Sequence, residues 1–237
     1  MSFIDSLRVI GAMARVTAPT LVEMARGSVA RSSIDERARW FGQRVVELLD
    51  VELEASGAEL VPDRAVIYLS NHQSHLDIPM LYATLPSPTI RMLAKKELFQ
   101  IPLWGRGLRA AEFVEVDRAN HRRAIDSIDH AAQLVRDGVS IYLAPEGTRS
   151  MDGRIGKLKK GGFHLALATG APIVPVAIRG TIDILPRGSR AMRTGQHVSV
   201  VIGPPIEVAG CDIGNLMSQV AQFLVKNVEN DAVHPRS

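Results

Sequence analysis

Two short stretches concentrate side chains able to move a proton or grip an anion: NHQSHLD, Asn71 to Asp77, and APEGTRS, Ala144 to Ser150. In the first, an imidazole and a carboxylate lie five positions apart, His72 and Asp77. On a regular helix that spacing separates them by ~140°. A turn before a helix, with Asp77 in its first turn, would instead fold the acid back onto His72. That is the arrangement of a general base and its orienter, in which the acid fixes the tautomer and stabilises the imidazolium. Helix capping by Asn71 or Ser74, with Asp77 near the positive end, accounts for the polar residues without giving His72 a role. His75 is a competing base, although its closer spacing to Asp77 demands a tighter turn. The pair of histidines with Asp77 also admits a metal-dependent hydrolase, but Cys211 is the only cysteine and the other histidines are scattered.

In the second stretch, Pro145 and Gly147 suit a tight turn after an apolar run, and Glu146, Thr148 and Arg149 would project from its mouth. Arginine offers a planar fork for phosphate. GKLKKGG follows, Gly156 to Gly162, adding Lys157, Lys159 and Lys160 ahead of a helix start, a combination suited to an anion.

The elements that must position these groups are legible from periodicity. Short β-like runs begin at Val51, Ala65, Ile90, Glu112, Val139, Pro172 and His197. Helical patterns lie between several of them, at Ile78 to Ala83, Ala124 to Val135 and Gly162 to Ala168, and a closing helix covers Ile213 to Val228. This alternation predicts an α/β fold, a mixed, mostly parallel central sheet covered by helices. Ahead of it, Pro19 and Gly27 are expected to divide a helical N-terminal segment into pieces. The domain expectation is therefore 1–50, helical and membrane-associating, and 51–237, the catalytic domain.

Composition narrows the partners. Hydrophobic residues make up 46% of 237, enough for one sizeable core. A lone cysteine suits a reducing compartment. Between Arg149 and Arg193 there are nine Lys or Arg against two acids, a local excess that suits an anionic ligand although the whole chain carries only +3. Nucleic acid is not expected, because aromatics are 5% of the chain and no stacking stripe accompanies the charge. No run approaches the ~18 apolar residues of a spanning helix, and Asp5 and Arg8 interrupt any signal-peptide core. Phe3, Ile4, Leu7, Ile10 and Met13 recur at helical spacing, which fits a helix lying on a membrane or packed on the domain.

NHQSHLD and APEGTRS together resemble the first and third sequence blocks of the glycerolipid acyltransferases, the group of the 1-acylglycerol-3-phosphate acyltransferases. EFVEVDR, ending at Arg118, is similar to the second block, and IVPVAIRG, Ile173 to Gly180, to the fourth. Ala144 stands where the third block usually has phenylalanine, and Ala110 and Ala111 where the second commonly has glycine. The resemblance implies transfer of a fatty acyl group from acyl-CoA or acyl carrier protein to a lysophospholipid hydroxyl, with His72 as base and Asp77 as its holder. It further implies Arg118, Glu146, Gly147, Thr148 and Arg149 on the acceptor, the two arginines at its phosphate. No cofactor or metal is needed beyond the thioester donor. Lys95 and Lys96 are candidates for the oxyanion. A peripheral or monotopic place on the cytoplasmic face of the inner membrane follows from the lipid acceptor, with a noncatalytic lipid-binding protein as the remaining alternative.

Overall fold

The computed structural model describes residues 3–117 and 121–229. Seven strands form one sheet: β1 (Glu52–Ser56), β2 (Ile67–Ser70), β3 (Ile90–Lys95), β4 (Val114–Val116), β5 (Ser140–Leu143), β6 (Ile173–Arg179) and β7 (His197–Ile202). Their spatial order is β1-β7-β6-β2-β5-β3-β4. Every neighbouring pair is parallel except β6 with β7. Each of the seven runs expected from the sequence is a strand.

The central strands β2 and β5 are buried along their whole length, as parallel strands covered on both faces must be. One face is covered by α6 (His121–Arg136), α7 (Gly161–Thr169) and α9 (Ile213–Val228), the other by α2 (Arg31–Leu48) and α3 (Asp77–Thr84). Two separate apolar clusters result, one on each side of the sheet. Pro175 is tolerated inside β6 because its ring nitrogen, which carries no N–H, and its C=O both face the side of β7. There the ladder has ended at Val176 opposite Ile202, and Gly203 N–H donates to the Pro175 carbonyl at 2.8 Å.

The N-terminal region departs from expectation in one respect. Pro19 does not end a helix: α1 runs unbroken over Phe3–Ala25. Proline removes a single donor, the one that would reach the Arg15 carbonyl, and the hydroxyls of Thr17 and Thr20 bond back to Met13 and Val16 nearby. Gly27 does separate α1 from α2. The second helix is part of the core, with Val45 and Leu49 fully buried beneath the sheet. It approaches α3 so closely that a Cβ on Gly42 would lie 2.6 Å from the Pro79 carbonyl oxygen.

Periodicity gave no hint of three short helices, α4 (Lys96–Phe99), α5 (Trp104–Ala110) and α8 (Thr181–Ile184). The last matters most for the site.

Candidate active site

Strands β2, β5 and β6 are adjacent and parallel, so their C-terminal ends open on the same edge of the sheet, where ligands of such sheets collect. The loop after β2 carries Asn71 to Leu76, the loop after β5 carries Ala144 to Lys160, and β6 runs into α8.

Asn71 continues the ladder with its side chain: its amide donates to the Ile178 carbonyl and accepts from the Ile178 N–H, both at 2.8 Å. This anchors the next residue, His72, at the edge. Asp77 begins α3, as the folding-back of the loop requires, and its carboxylate lies 2.7 Å from His72 Nδ1. The same carboxylate accepts from the backbone N–H groups of Gln73 (2.8 Å) and Ser74 (3.1 and 3.2 Å), and from the Thr181 hydroxyl (2.5 Å). Asp77 is wholly buried, and its charge is compensated by these donors, as a buried carboxylate requires. An acceptor-only carboxylate selects the tautomer with the proton on Nδ1, leaving Nε2 free to accept one. The His72 side chain remains one-fifth exposed.

No side chain caps α3: Ser74 Oγ donates to the Leu185 carbonyl at 2.8 Å and accepts the Leu76 N–H, ahead of the helix, at 3.3 Å, and Asn71 is spent on Ile178. His75 is exposed at the mouth, away from the bond to Asp77. Desolvation of its ring, with Arg149 as a nearby like charge, pushes its pKa down to about 4. Among the described residues, no group of three His, Cys, Asp or Glu could hold a metal ion.

Glu146 is nearly buried and bridges two loops. One carboxylate oxygen accepts the His72 N–H at 2.8 Å and the other the Gly156 N–H at 2.7 Å. Burial raises its pKa, opposed by those two hydrogen bonds. Ser150 N–H donates to the His72 carbonyl at 2.7 Å, so His72 is held through both backbone polar groups by the loop after β5. Gly147 takes φ +71°, and Lys159 lies where its Cβ would be, bringing GKLKKGG against APEGTRS. Thr148 is exposed and Arg149 half-buried. Arg149 has its pKa lowered by burial and then by the neighbouring cation of Arg187.

Of the other expected residues, Arg118 lies outside the described residues. Lys96 is held by Asp117 at 2.8 Å. Lys95, at the exposed end of β3, is close enough to act on His75 through space. Among the described residues the Cys211 thiol bonds the Glu207 carbonyl, at 3.6 Å. Sequence reasoning missed Thr181 and the role of Asn71. The signal for Thr181 was a hydroxyl two residues beyond the strand IVPVAIR, next to IVPVAIRG.

The family described as Acyltransferase matches residues 52–179, just over half the chain. A chloroplastic 1-acyl-sn-glycerol-3-phosphate acyltransferase of Brassica napus is 36% identical over 162 residues, 68% of this chain and 46% of that protein. The human 1-acyl-sn-glycerol-3-phosphate acyltransferase alpha is 32% identical over 165 residues, 69% of this chain and 58% of that protein. The chain thus spans about half the length of the curated relatives it matches. A crystal structure of the 1-acyl-sn-glycerophosphate acyltransferase PlsC of Thermotoga maritima superposes with a TM-score of 0.83 at 27% identity, covering 99% of this chain and 96% of that one.

Proposed function

Since this chain belongs to the acyltransferase family, we propose that it moves a fatty acyl group from a thioester to the free hydroxyl of 1-acylglycerol-3-phosphate, giving phosphatidic acid. Coenzyme A or acyl carrier protein carries the acyl group. The observation that supports this reading is the 2.7 Å contact between His72 Nδ1 and Asp77, which turns Nε2 outward at the strand edge as a base.

In the proposed reaction Nε2 takes the proton of the acceptor hydroxyl, and Asp77 stabilises the resulting imidazolium. The oxygen attacks the thioester carbonyl, an O–C bond forms, and the C–S bond breaks. The proton then passes from the imidazolium to the departing thiolate. No residue is acylated. Glu146 acts by fixing the His72 backbone, because both of its oxygens are already occupied. Thr148 and Arg149 border the acceptor, and Arg118 and Arg149 take its phosphate. Lys95 is the better placed of the two lysines to face the developing oxyanion, Lys96 being spent on Asp117.

The lipid acceptor also gives a use to α1. Phe3, Ile4, Leu7 and Ile10 are exposed at 67, 65, 66 and 57%, an apolar stripe left uncovered among the described residues. No helix among the described residues is long and apolar enough to cross a membrane. The stripe suits a helix lying in the head-group layer of the inner membrane's cytoplasmic face.

The test is thiol release from acyl-CoA in the presence of lysophosphatidate, with His72→Ala beside the wild type. A loss of about 10²–10⁴-fold is expected from removing a general base. Equal rates in the two proteins would remove His72 from the mechanism, and release that ignores the lysophosphatidate would point to simple hydrolysis.

A further inference from the structure

The segment that follows α8 belongs to the wall of the site. Ser74 Oγ bonds the Leu185 carbonyl, and the next residues make a tight turn in which Ser189 N–H donates to the Pro186 carbonyl at 3.1 Å. Gly188 holds the third position of that turn at φ +89°, a conformation that a Cβ disfavours. Arg187 is therefore presented from a turn pinned one residue away by Pro186 and two residues away by the bond to the base-bearing loop.

Its guanidinium Nη1 donates to the Arg149 carbonyl at 3.1 Å. That bond uses one of five N–H donors and leaves the remaining fork open to solvent. The Arg187 charge also lies close enough to act on the Arg149 guanidinium, and among the described residues neither Arg149 nor Arg187 forms an ion pair with a carboxylate. Like charges placed side by side without a counter-ion repel, and an anion with several acceptor oxygens relieves both at once. Arg149 is itself one residue from Ser150, whose N–H binds the His72 carbonyl. An anion seated between the two guanidiniums would lie beside the base.

We propose that Arg187 is a phosphate-binding residue for the acceptor, completing with Arg149 a seat specific for a terminal phosphomonoester. The inference rests on the acyl-transfer reading above. A phosphomonoester carries about −1.5 to −2 charges and three free oxygens, enough for two forks. A phosphodiester head group has one charge and fewer free oxygens, so the seat selects lysophosphatidate over lysophosphatidylcholine.

The experiment measures steady-state kinetics with a short-chain lysophosphatidate, acceptor and thioester varied separately, for the full chain and its Arg187→Ala, Arg187→Gln and Arg187→Lys variants. Equilibrium binding of the same lysophosphatidate, without donor, is measured alongside. Arg187→Ala and Arg187→Gln should raise the acceptor KM by about 10- to 100-fold, the range of a charge-assisted contact. Both should weaken its binding in parallel and leave kcat and the donor KM near wild type. Arg187→Lys should recover part of the loss, and a monoacylglycerol acceptor should register no difference among the four. An unchanged acceptor KM and binding would overturn the inference, as would a rise confined to the donor KM. Wild-type protein that binds lysophosphatidate through Arg187 but transfers no acyl group would uphold it while removing the catalytic reading.

Discussion

Thr181 reaches across 104 residues of sequence to donate its hydroxyl to Asp77 Oδ1 at 2.5 Å, while Oδ2 of the same carboxylate faces His72 Nδ1 at 2.7 Å. The orienting acid is thus itself oriented, by the first residue of α8. Replacing Thr181 with Val keeps the shape and removes the donor. The expected outcome is a fall in kcat of about tenfold, with a stability loss of about 1–3 kcal/mol for a buried charged acceptor left short of a partner. Thr181→Ser should restore both, as read by thiol release and by urea unfolding.

Glu146 offers a comparable test of positioning. Its two oxygens receive the N–H groups of His72 and Gly156. In Glu146→Gln one of those N–H groups meets an amide NH₂ instead of an acceptor. Activity should fall by one to two orders of magnitude, about 1.4 kcal/mol for each order, while donor KM stays near wild type. A variant with unchanged kcat would show that the loop needs only one of the two bonds.

His75 supplies the pH prediction. Its pKa is pushed down to about 4, against about 6.5 for an unfolded chain. Between these values the unfolded chain binds a proton that the folded site refuses. The stability associated with neutral His75 is therefore complete above about pH 6.5 and is lost as the pH falls toward 4. His75→Gln should flatten the decline in melting temperature across that interval. It should leave the rate profile between pH 7 and 8 unchanged, because the ring is already neutral there and makes no bond to Asp77.

Arg91 is the largest of the fully buried side chains, and its Nη1 lies 2.5 Å from Asp35 on α2. Glu112 stands 3.6 Å from its Nη2 and is also gripped by Arg31. Asp35→Ala leaves a guanidinium without its main counter-ion in the interior, and a loss of about 3–5 kcal/mol is expected. Arg91→Met with Asp35→Ala, removing both charges, should recover much of it. Equilibrium denaturation of the single and double variants reads the difference.

The apolar stripe of α1 predicts sedimentation with vesicles of anionic phospholipid. Leu7→Glu combined with Ile10→Glu should reduce vesicle binding while turnover of a soluble short-chain acceptor is retained, because neither side chain enters the core. Equal cosedimentation of the variant and wild type would move the membrane contact elsewhere.

The sheet was legible in the sequence because its central strands are covered on both faces and so read as continuous apolar runs. Their order was not, since nothing local records that β1 pairs with β7 or that β6 and β7 run antiparallel. The His72–Asp77 pair could be anticipated because the whole turn lies within six residues. Thr181, Asn71 opposite Ile178, and Arg187 opposite Arg149 could not, since each acts through a partner roughly 40 to 100 positions away. Periodicity saw Pro19 as an interruption because it registers a missing donor, whereas a long helix packed along its length tolerates one.

The ion pair between Arg91 and Asp35 also has a mechanical meaning. The cation of Arg91 on β3 cannot be rehydrated without tearing α2 away, so α2 and the sheet turn together as one lever. A tilt imposed on α1 by a lipid surface would pass through α2 to the strand that ends at Lys95. On the proposed reading, the angle at which the molecule rests would thereby aim the edge that carries His72 at the head groups.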